Sequence, residues 1–420
     1  MASFGESSVD RINGRYGFCA QKTTADRARM VKLPNQPTSA ASELLIHLDE
    51  FGRHETIISI TRANRPISTK SAPRLGLVTS FGLYTFFHAL RLFTVRHSGS
   101  PIFLEYILEK MKVPEKDILN NPLKKAAADN PLSPPESRKY GCSFCNFERW
   151  AEPKGMLEDG VIGFASNPFP FAGYHDVHII KGPFHNVTEI LDNPIYAIAL
   201  IRAAFFRARH IYRENPAVIK SVFWGISYGI GRIEDGKEVA SACASFQHIH
   251  SQLIGIQEGT LNPANSLRPA IARFEATHND DFFTAYITAL ENEGLLVKSY
   301  NDHAFLVAPW AQRSKHHLRI IGEVPSFLAE NPGEKTVDSM GLAFYDALRV
   351  LAALGIRSFN CVSLDAGLEN KNHRLVIDVI PRGGIAQAEL EQMYVVDGFP
   401  ENTAKEARTI IEQGSVNSSV

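Results

Sequence analysis

Cysteine is scarce in this chain. Five thiols (Cys19, Cys142, Cys145, Cys243 and Cys361) among 420 residues are few and odd in number, which argues against a disulfide framework. They point to a reducing compartment, with thiols used free or on a metal. An excess of charge is also missing: 44 Lys and Arg stand against 45 Asp and Glu, a net charge of −1 spread along the chain. That removes the electrostatic footprint expected of a protein that binds nucleic acid or an anionic membrane, so any phosphate must be held locally. Long apolar runs are absent as well. The most apolar stretch, 195–206, is interrupted by Arg202 and is too short to span a bilayer. The opening residues have neither a basic nor an apolar leader region, so no secretory signal is expected and the cytoplasm is the expected location. What is present is ordinary for a soluble globular protein: 44% hydrophobic and 21% charged residues, in a length suited to two or three domains.

The weakly patterned residues 1–45 read as a loosely held N-terminal arm, and 401–420 as a C-terminal tail. A strand at 56–61 leads into Arg62-Ala-Asn-Arg65-Pro; 84–95 and 102–112 have helical spacing; Asn, Pro and Ser clusters make 120–141 an exposed loop. From there a pattern begins. Strands at 161–166 and 176–180 form a hairpin, followed by a helix at 194–214, a strand at 219–227 and a further strand carrying His248 and His250. The same order returns as strands at 303–308 and 317–321, a helix at 336–354, and strands at 358–364 and 374–380. Hairpin, helix, strand, strand occurs twice, which implies a duplicated α+β unit with mostly antiparallel sheets flanked by helices. Dividing the repeat gives a first half over 46–258 and a second over 259–400. Where the first copy has His248-Ile-His250-Ser-Gln252, the second has His373-Arg-Leu-Val-Ile, so only the first is equipped for chemistry.

The stretch His248-Ile-His250-Ser-Gln252 is the most informative in the chain. Apolar and β-branched neighbours (Ile249, Leu253, Ile254, Ile256) favour a strand, and period-two geometry then sets His248, His250 and Gln252 on one face. Two imidazoles and an amide suit a histidine nucleophile attacking phosphorus, with an uncharged donor on a phosphoryl oxygen. The plain alternative is a polar sheet face or a metal pair. Other segments supply further pieces. Cys142-Ser-Phe-Cys145 is either a redox-active or unliganded pair or, if zinc is bound, half of a four-ligand metal site. With no second Cys pair, histidines must complete a Cys2His2 set, and His185 and His248 come before His175 and His178 as candidates. Arg62 and Arg65 offer planar forks suited to phosphate, though two solvated surface arginines would look the same. Ser245, at the end of the small-residue run from 241, either hydrogen-bonds a phosphate or forms a tight turn.

In sum these segments resemble the galactose-1-phosphate uridylyltransferase branch of the histidine-triad superfamily. Its Ser-x-x-His-x-His-x-Gln motif is matched by Ser245, His248, His250 and Gln252. Its Arg-Ala-Lys-Arg-Pro is similar to Arg62-Ala-Asn-Arg65-Pro, its Cys-x-x-Cys to Cys142 and Cys145, and its Ser-Pro-x-His to Gly182-Pro-Phe-His185. The resemblance spans about 55–382. It implies two tandem histidine-triad-like halves, with His250 as nucleophile and a structural zinc on Cys142, Cys145, His185 and His248. It further implies Gln252 and Ser245 on the α-phosphate, Arg62 and Arg65 on the phosphates, and Asn167 and Phe169 near the nucleotide. A homodimer is expected on the same ground. The family's Asn-x-Gly is Ser227-Tyr-Gly229 here, a family glycine is Cys243, and the segment that reads galactose has no counterpart.

The resemblance implies a nucleotidyltransferase that moves a nucleoside monophosphate between a nucleotide sugar and a sugar 1-phosphate. A related phosphorylase, using inorganic phosphate on an ADP- or GDP-sugar or a dinucleoside polyphosphate, is the alternative. A hydrolase and a non-catalytic nucleotide binder follow behind.

Overall fold

The computed structural model describes residues 21–23, 44–48, 55–59, 144–145, 154–167, 172, 174–182, 184–234, 237–240, 248–257, 267–369, 372–382, 393–396 and 398–417. The chain divides into two compact units, 1–63 with 144–420, and 64–143. The second unit lies outside the described residues, and with it the helices expected at 84–95 and 102–112 and the loop at 120–141.

In the first unit, β1 (Gln21–Thr23), β2 (Leu44–Leu48) and β3 (Glu55–Ser59) form a small sheet. The main body starts with β4 (Lys154–Leu157), β5 (Ile162–Ser166) and β6 (Tyr174–Ile180), then helices α1 (Val187–Leu191) and α2 (Ile195–Glu214). Strands β7 (Ile219–Glu234), β8 (Lys237–Ala240) and β9 (His250–Gln257) close the first half. Helices α3 (Leu267–His278) and α4 (Phe282–Asn292) lead to β10 (Leu296–Tyr300), β11 (Ala304–Val307) and β12 (Leu318–Gly322). Helix α5 (Glu334–Ala353), β13 (Ser358–Leu364) and β14 (Val376–Pro381) follow. Strand β15 (Met393–Val396) returns to pair in parallel with β3, and α6 (Pro400–Asn417) follows. Strands and helices expected from residue 160 onward occur within a few residues of their expected bounds, with β7 running well past residue 227. Helices α1, α3, α4 and α6 and strands β1, β2, β4, β8, β10 and β15 are additions.

All the larger strands share one antiparallel sheet, in the order β10-β11-β12-β14-β13-β7-β9-β6-β5-β4. From its centre the sheet repeats itself: β7-β9-β6-β5-β4 on one side, β13-β14-β12-β11-β10 on the other. The halves join where β7 pairs with β13, Gly225 opposite Val362 and Tyr228 opposite Phe359. The duplication anticipated from element order is therefore a repeat of strand order too, and the fold is α+β.

One face of this sheet is covered by α2 and α5, a helix from each half. They pack closely because Gly341 on α5 has no side chain; a Cβ there would lie 2.7 Å from the Ile198 Cα. Trp224 on β7 meets the Phe344 ring of α5 edge-on at 5.7 Å, and Arg207 of α2 clamps Asp176 of β6 at 2.6 Å. Trp224, Leu253, Asp176 and, by the alternation of strands, His178 and Ser251 thus point toward the helices. Their chain neighbours Gly225, Gln252, His250 and His175 point to the opposite face.

That opposite face differs between the halves. In the second half α4 lies over it: Arg319 on β12 donates to Tyr286 Oη of α4 at 3.1 Å and pairs with Asp378 of β14 at 2.6 Å, all fully buried. Asp378 stands between Val362 and Arg319 as Gln252 stands between Gly225 and Val177. His373 packs against the Phe283 ring at 5.5 Å and donates from Nε2 to the Leu364 carbonyl at 3.2 Å. In the second half the face is core. Among the described residues no helix is long and apolar enough to cross a membrane.

Two outcomes follow for stability. Gly341→Val should lower it by roughly 1–3 kcal/mol through overpacking against the Ile198 backbone, read as a shifted denaturation midpoint with unchanged slope. Burial pushes His178 down to about 3, and His317 and His373 each down to about 4, from an ordinary 6.5. Between pH 6.5 and about 4 the unfolded chain therefore binds more protons than the folded one. Stability should fall with falling pH across that window, by up to ~1.4 kcal/mol per pH unit for each histidine. His178→Leu should flatten the decline in denaturant melts run from pH 7 to pH 4; an unchanged slope would contradict this origin.

Candidate functional site

The site is built on β9 and the segment leading into it. Strand alternation sets His250 and Gln252 on the face turned away from α2 and α5, two residues apart. Beside them on β6, His175 shares that face, and across on β7 Gly225 sits opposite Gln252 with no side chain to crowd it. Just ahead of the strand, the Ile249 amide donates to the Phe184 carbonyl at 2.8 Å. This bond ties the segment carrying His248 to the one carrying His185.

His185 is positioned by what surrounds it in sequence. Gly182, at φ +126°, turns the chain after β6 in a way other residues rarely adopt. Asn186 then caps α1: its side chain accepts from the Thr188 amide at 3.1 Å, and Glu189 accepts from the Asn186 amide at 2.8 Å. Tyr228 of β7 bridges the junction, accepting from the Val187 amide at 3.0 Å and donating to the His185 carbonyl at 3.3 Å.

These elements bring Cys145, His185 and His248 together. Cys145 Sγ lies 3.5 Å from His185 Nε2 and 3.5 Å from His248 Nδ1, and all three ligand atoms lie within 4.8 Å of one another. Tetrahedral zinc, with bonds of about 2.3 Å to sulfur and about 2.0 Å to nitrogen, would hold such atoms about 3.6 Å apart. The tautomer of His248 fits as well. Its Nε2 is 2.9 Å from the Ile180 carbonyl, which only accepts, so Nε2 carries the hydrogen and Nδ1 turns its lone pair toward the cluster. The donor set suits a metal ion.

The same reasoning applies to His250. Its Nδ1 is 2.8 Å from the His248 carbonyl and must donate, which leaves the lone pair on Nε2. Phe144, next to Cys145, sets its ring edge-on to His250 at 4.8 Å and to His248 at 6.0 Å. The cysteine segment is thereby packed against both histidines. Behind Gln252, His175 Nε2 approaches Gln252 Oε1 at 2.7 Å and Asn167 Nδ2 at 3.1 Å. His175 is buried, and desolvation lowers its pKa.

The structure thus gathers His250, Gln252, Asn167, Cys145, His185 and His248. Cys142, Ser245, Arg62, Arg65 and Phe169 lie outside the described residues. His178 faces the helices on the far side of the sheet, whereas His175 meets Gln252 and stands apart from the cysteine cluster. Phe144, Tyr228 and the hydrogen-bonding role of His175 went unanticipated. For His175 a signal existed, since alternation along β6 sets it on one face with Val177 and Ile179, but the strand's neighbour is not written in its own sequence.

No family model matches the chain, and no curated protein does. Solved structures do. A GalT-like protein from Arabidopsis thaliana matches with TM-score 0.51 and 19% identity, over 64% of this chain and 90% of that one. An ADP-glucose phosphorylase from Arabidopsis thaliana, with bound ADP-glucose, matches with TM-score 0.54 and 17% identity, over 86% and 97%. A uridylyltransferase matches with TM-score 0.51 and 15% identity, over 60% and 86%. At such identities the likeness is one of fold. The chain shares its fold with these GalT-like, ADP-glucose phosphorylase and uridylyltransferase structures.

Proposed function

We propose that this protein is a nucleotidyltransferase that carries a nucleoside monophosphate from a nucleotide sugar to a sugar 1-phosphate through a nucleotidyl-His250 intermediate. The observation that carries the reading is the tautomer of His250, whose Nδ1–H is held by the His248 carbonyl at 2.8 Å so that Nε2 keeps its lone pair. Nε2 attacks the α-phosphorus in line; the Nε2–P bond forms as the bond to the bridging oxygen breaks, and the sugar 1-phosphate leaves with that electron pair. The ring turns cationic as it takes on phosphorus, and the carbonyl on Nδ1–H offsets that charge. The leaving phosphate is already a weak base and needs little general acid, which is why an amide at Gln252 suffices. Gln252 and Ser245 neutralise charge on the equatorial oxygens, one such donor being worth roughly 3 kcal/mol. Arg62 and Arg65 hold the phosphates, and Asn167 and Phe169 the nucleoside. A second sugar 1-phosphate then reverses the step. The catalytic half is 46–258 and the degenerate half 259–400; a cytoplasmic homodimer accompanies this reading.

A structural zinc on Cys142, Cys145, His185 and His248 belongs to the same proposal, supported by the two 3.5 Å sulfur–nitrogen separations. Four protein ligands leave no open position, so the metal fastens the cysteine segment to β9 and takes no part in the chemistry.

A phosphorylase, with inorganic phosphate as the acceptor, is the second reading. It is favoured by the wider match to the ADP-glucose phosphorylase fold, 86% of this chain against 60% for the uridylyltransferase.

Two measurements test this. Brief mixing with UDP-, ADP- and GDP-sugars should add the mass of one nucleoside monophosphate to the intact protein and add nothing to His250→Ala. The added mass names the base, and the acceptor that discharges the adduct, sugar 1-phosphate or phosphate, separates the two readings. A folded protein that forms no adduct with any donor would overturn both. Elemental analysis should find one zinc per chain. Cys145→Ser should lose most of it and melt several degrees lower, as expected when a ligand specific to the folded state is removed.

A further inference from the structure

We infer that His175 is a positioning residue that holds the Gln252 side chain with its NH2 end toward the reacting phosphoryl group. This rests on Gln252 being the uncharged donor of the proposed reaction. An amide has one accepting end and one donating end, and rotation by half a turn exchanges them with almost no change of shape. A phosphoryl oxygen is an acceptor, so only the NH2 end stabilises it, and the carbonyl end repels it. A free glutamine would present both. Something must choose.

His175 is placed to make that choice. It sits on β6, which pairs directly with β9, and its chain position sets it on the same face as His250 and Gln252. Its Nε2 lies 2.7 Å from Gln252 Oε1. The side chain is 4% exposed, so the ring has little freedom to swing away, and burial favours the neutral form. A single ring nitrogen cannot accept from Asn167 and donate to Gln252 at once. The shorter contact, to Gln252, sets the hydrogen on Nε2, and Asn167 then meets that hydrogen with its oxygen after a half-turn of its own amide. With Oε1 engaged by His175, the remaining end of Gln252 is the NH2 group, and both of its hydrogens are available to the ligand.

Hydrophobic replacement removes the choice and leaves most of the packing. In the full-length, metal-loaded protein, His175→Leu should slow single-turnover formation of the nucleotidyl adduct by about tenfold to a hundredfold, with little change in donor affinity. His175→Gln, whose amide nitrogen stands near the place of Nε2, should restore most of the rate. Adding His175→Leu to Gln252→Ala should cost no further rate, because the histidine acts only through the glutamine. Losses that multiply in the double variant would overturn the inference, as would His175→Leu protein reacting at the parent rate. A readout independent of turnover is the ring nitrogen spectrum of 15N-histidine-labelled protein, assigned by the signal missing in His175→Gln. A hydrogen on Nε2 of His175 supports the inference, and an Nδ1–H tautomer overturns it. Should the parent form no adduct, the proposed reaction fails while this spectrum still decides the geometry.

Discussion

The site depends on the register of β9 between β6 and β7. A strand shows alternate residues to alternate faces, so a slip of a single residue would turn His250 and Gln252 into the helix-covered core and bring Ser251 and Leu253 to the opposite face. Two devices oppose such a slip. Leu253 and Trp224 are cross-strand neighbours in the core under α5, and Asp176, across from Leu253 on β6, is clamped by Arg207 of α2. A slip would withdraw Leu253 from its place between Trp224 and Asp176 and carry His250 and Gln252 into the helix-covered core, where an unpaired polar group is costly. The chemistry on one face is thus held in place by packing on the other.

Backbone carbonyls add a second layer of control. The Ile180 carbonyl selects the His248 tautomer and the His248 carbonyl selects that of His250, at 2.9 and 2.8 Å. One imidazole is turned lone pair first toward Cys145, and the other keeps its lone pair on Nε2. Identical side chains two residues apart are thereby given different jobs by the same strand entry. No charged group is needed for this, since a backbone carbonyl accepts from the ring N–H in each case.

The two halves show what happens to one architecture under different demands. Both lay five strands in the same order, and both send a 20-residue helix across the same face. In the second half the other face is closed by α4 over the Arg319–Asp378 pair and His373. In the first half the same face carries Gly225, Gln252, His175 and His250 beside the buried Val177 and Ile179, with Phe144 packed on His250.

Much of this was legible in the chain itself. Period-two alternation and β-branched flanks identified β9, the helical spacing of 194–214 and 336–354 identified α2 and α5, and the recurrence of element order identified the duplication. The His-x-His-x-Gln spacing pointed to one face of one strand. These are local patterns, set by residues near one another in sequence. Helices α3 and α4 were missed because they precede the repeated elements of the second half and have no counterpart in the first. Other facts are pairwise and long-range. That His175 on β6 meets Gln252 on β9, 77 residues on, depends on which strands pair and in what register. That Cys145 stands 3.5 Å from a histidine 103 residues away depends on the same pairing. The tautomers depend on carbonyls brought into reach only in the folded chain. Sequence determined which chemical groups exist and which strand face carries them; tertiary structure decided which groups meet, because contact between strands is set by the cooperative burial of the whole sheet.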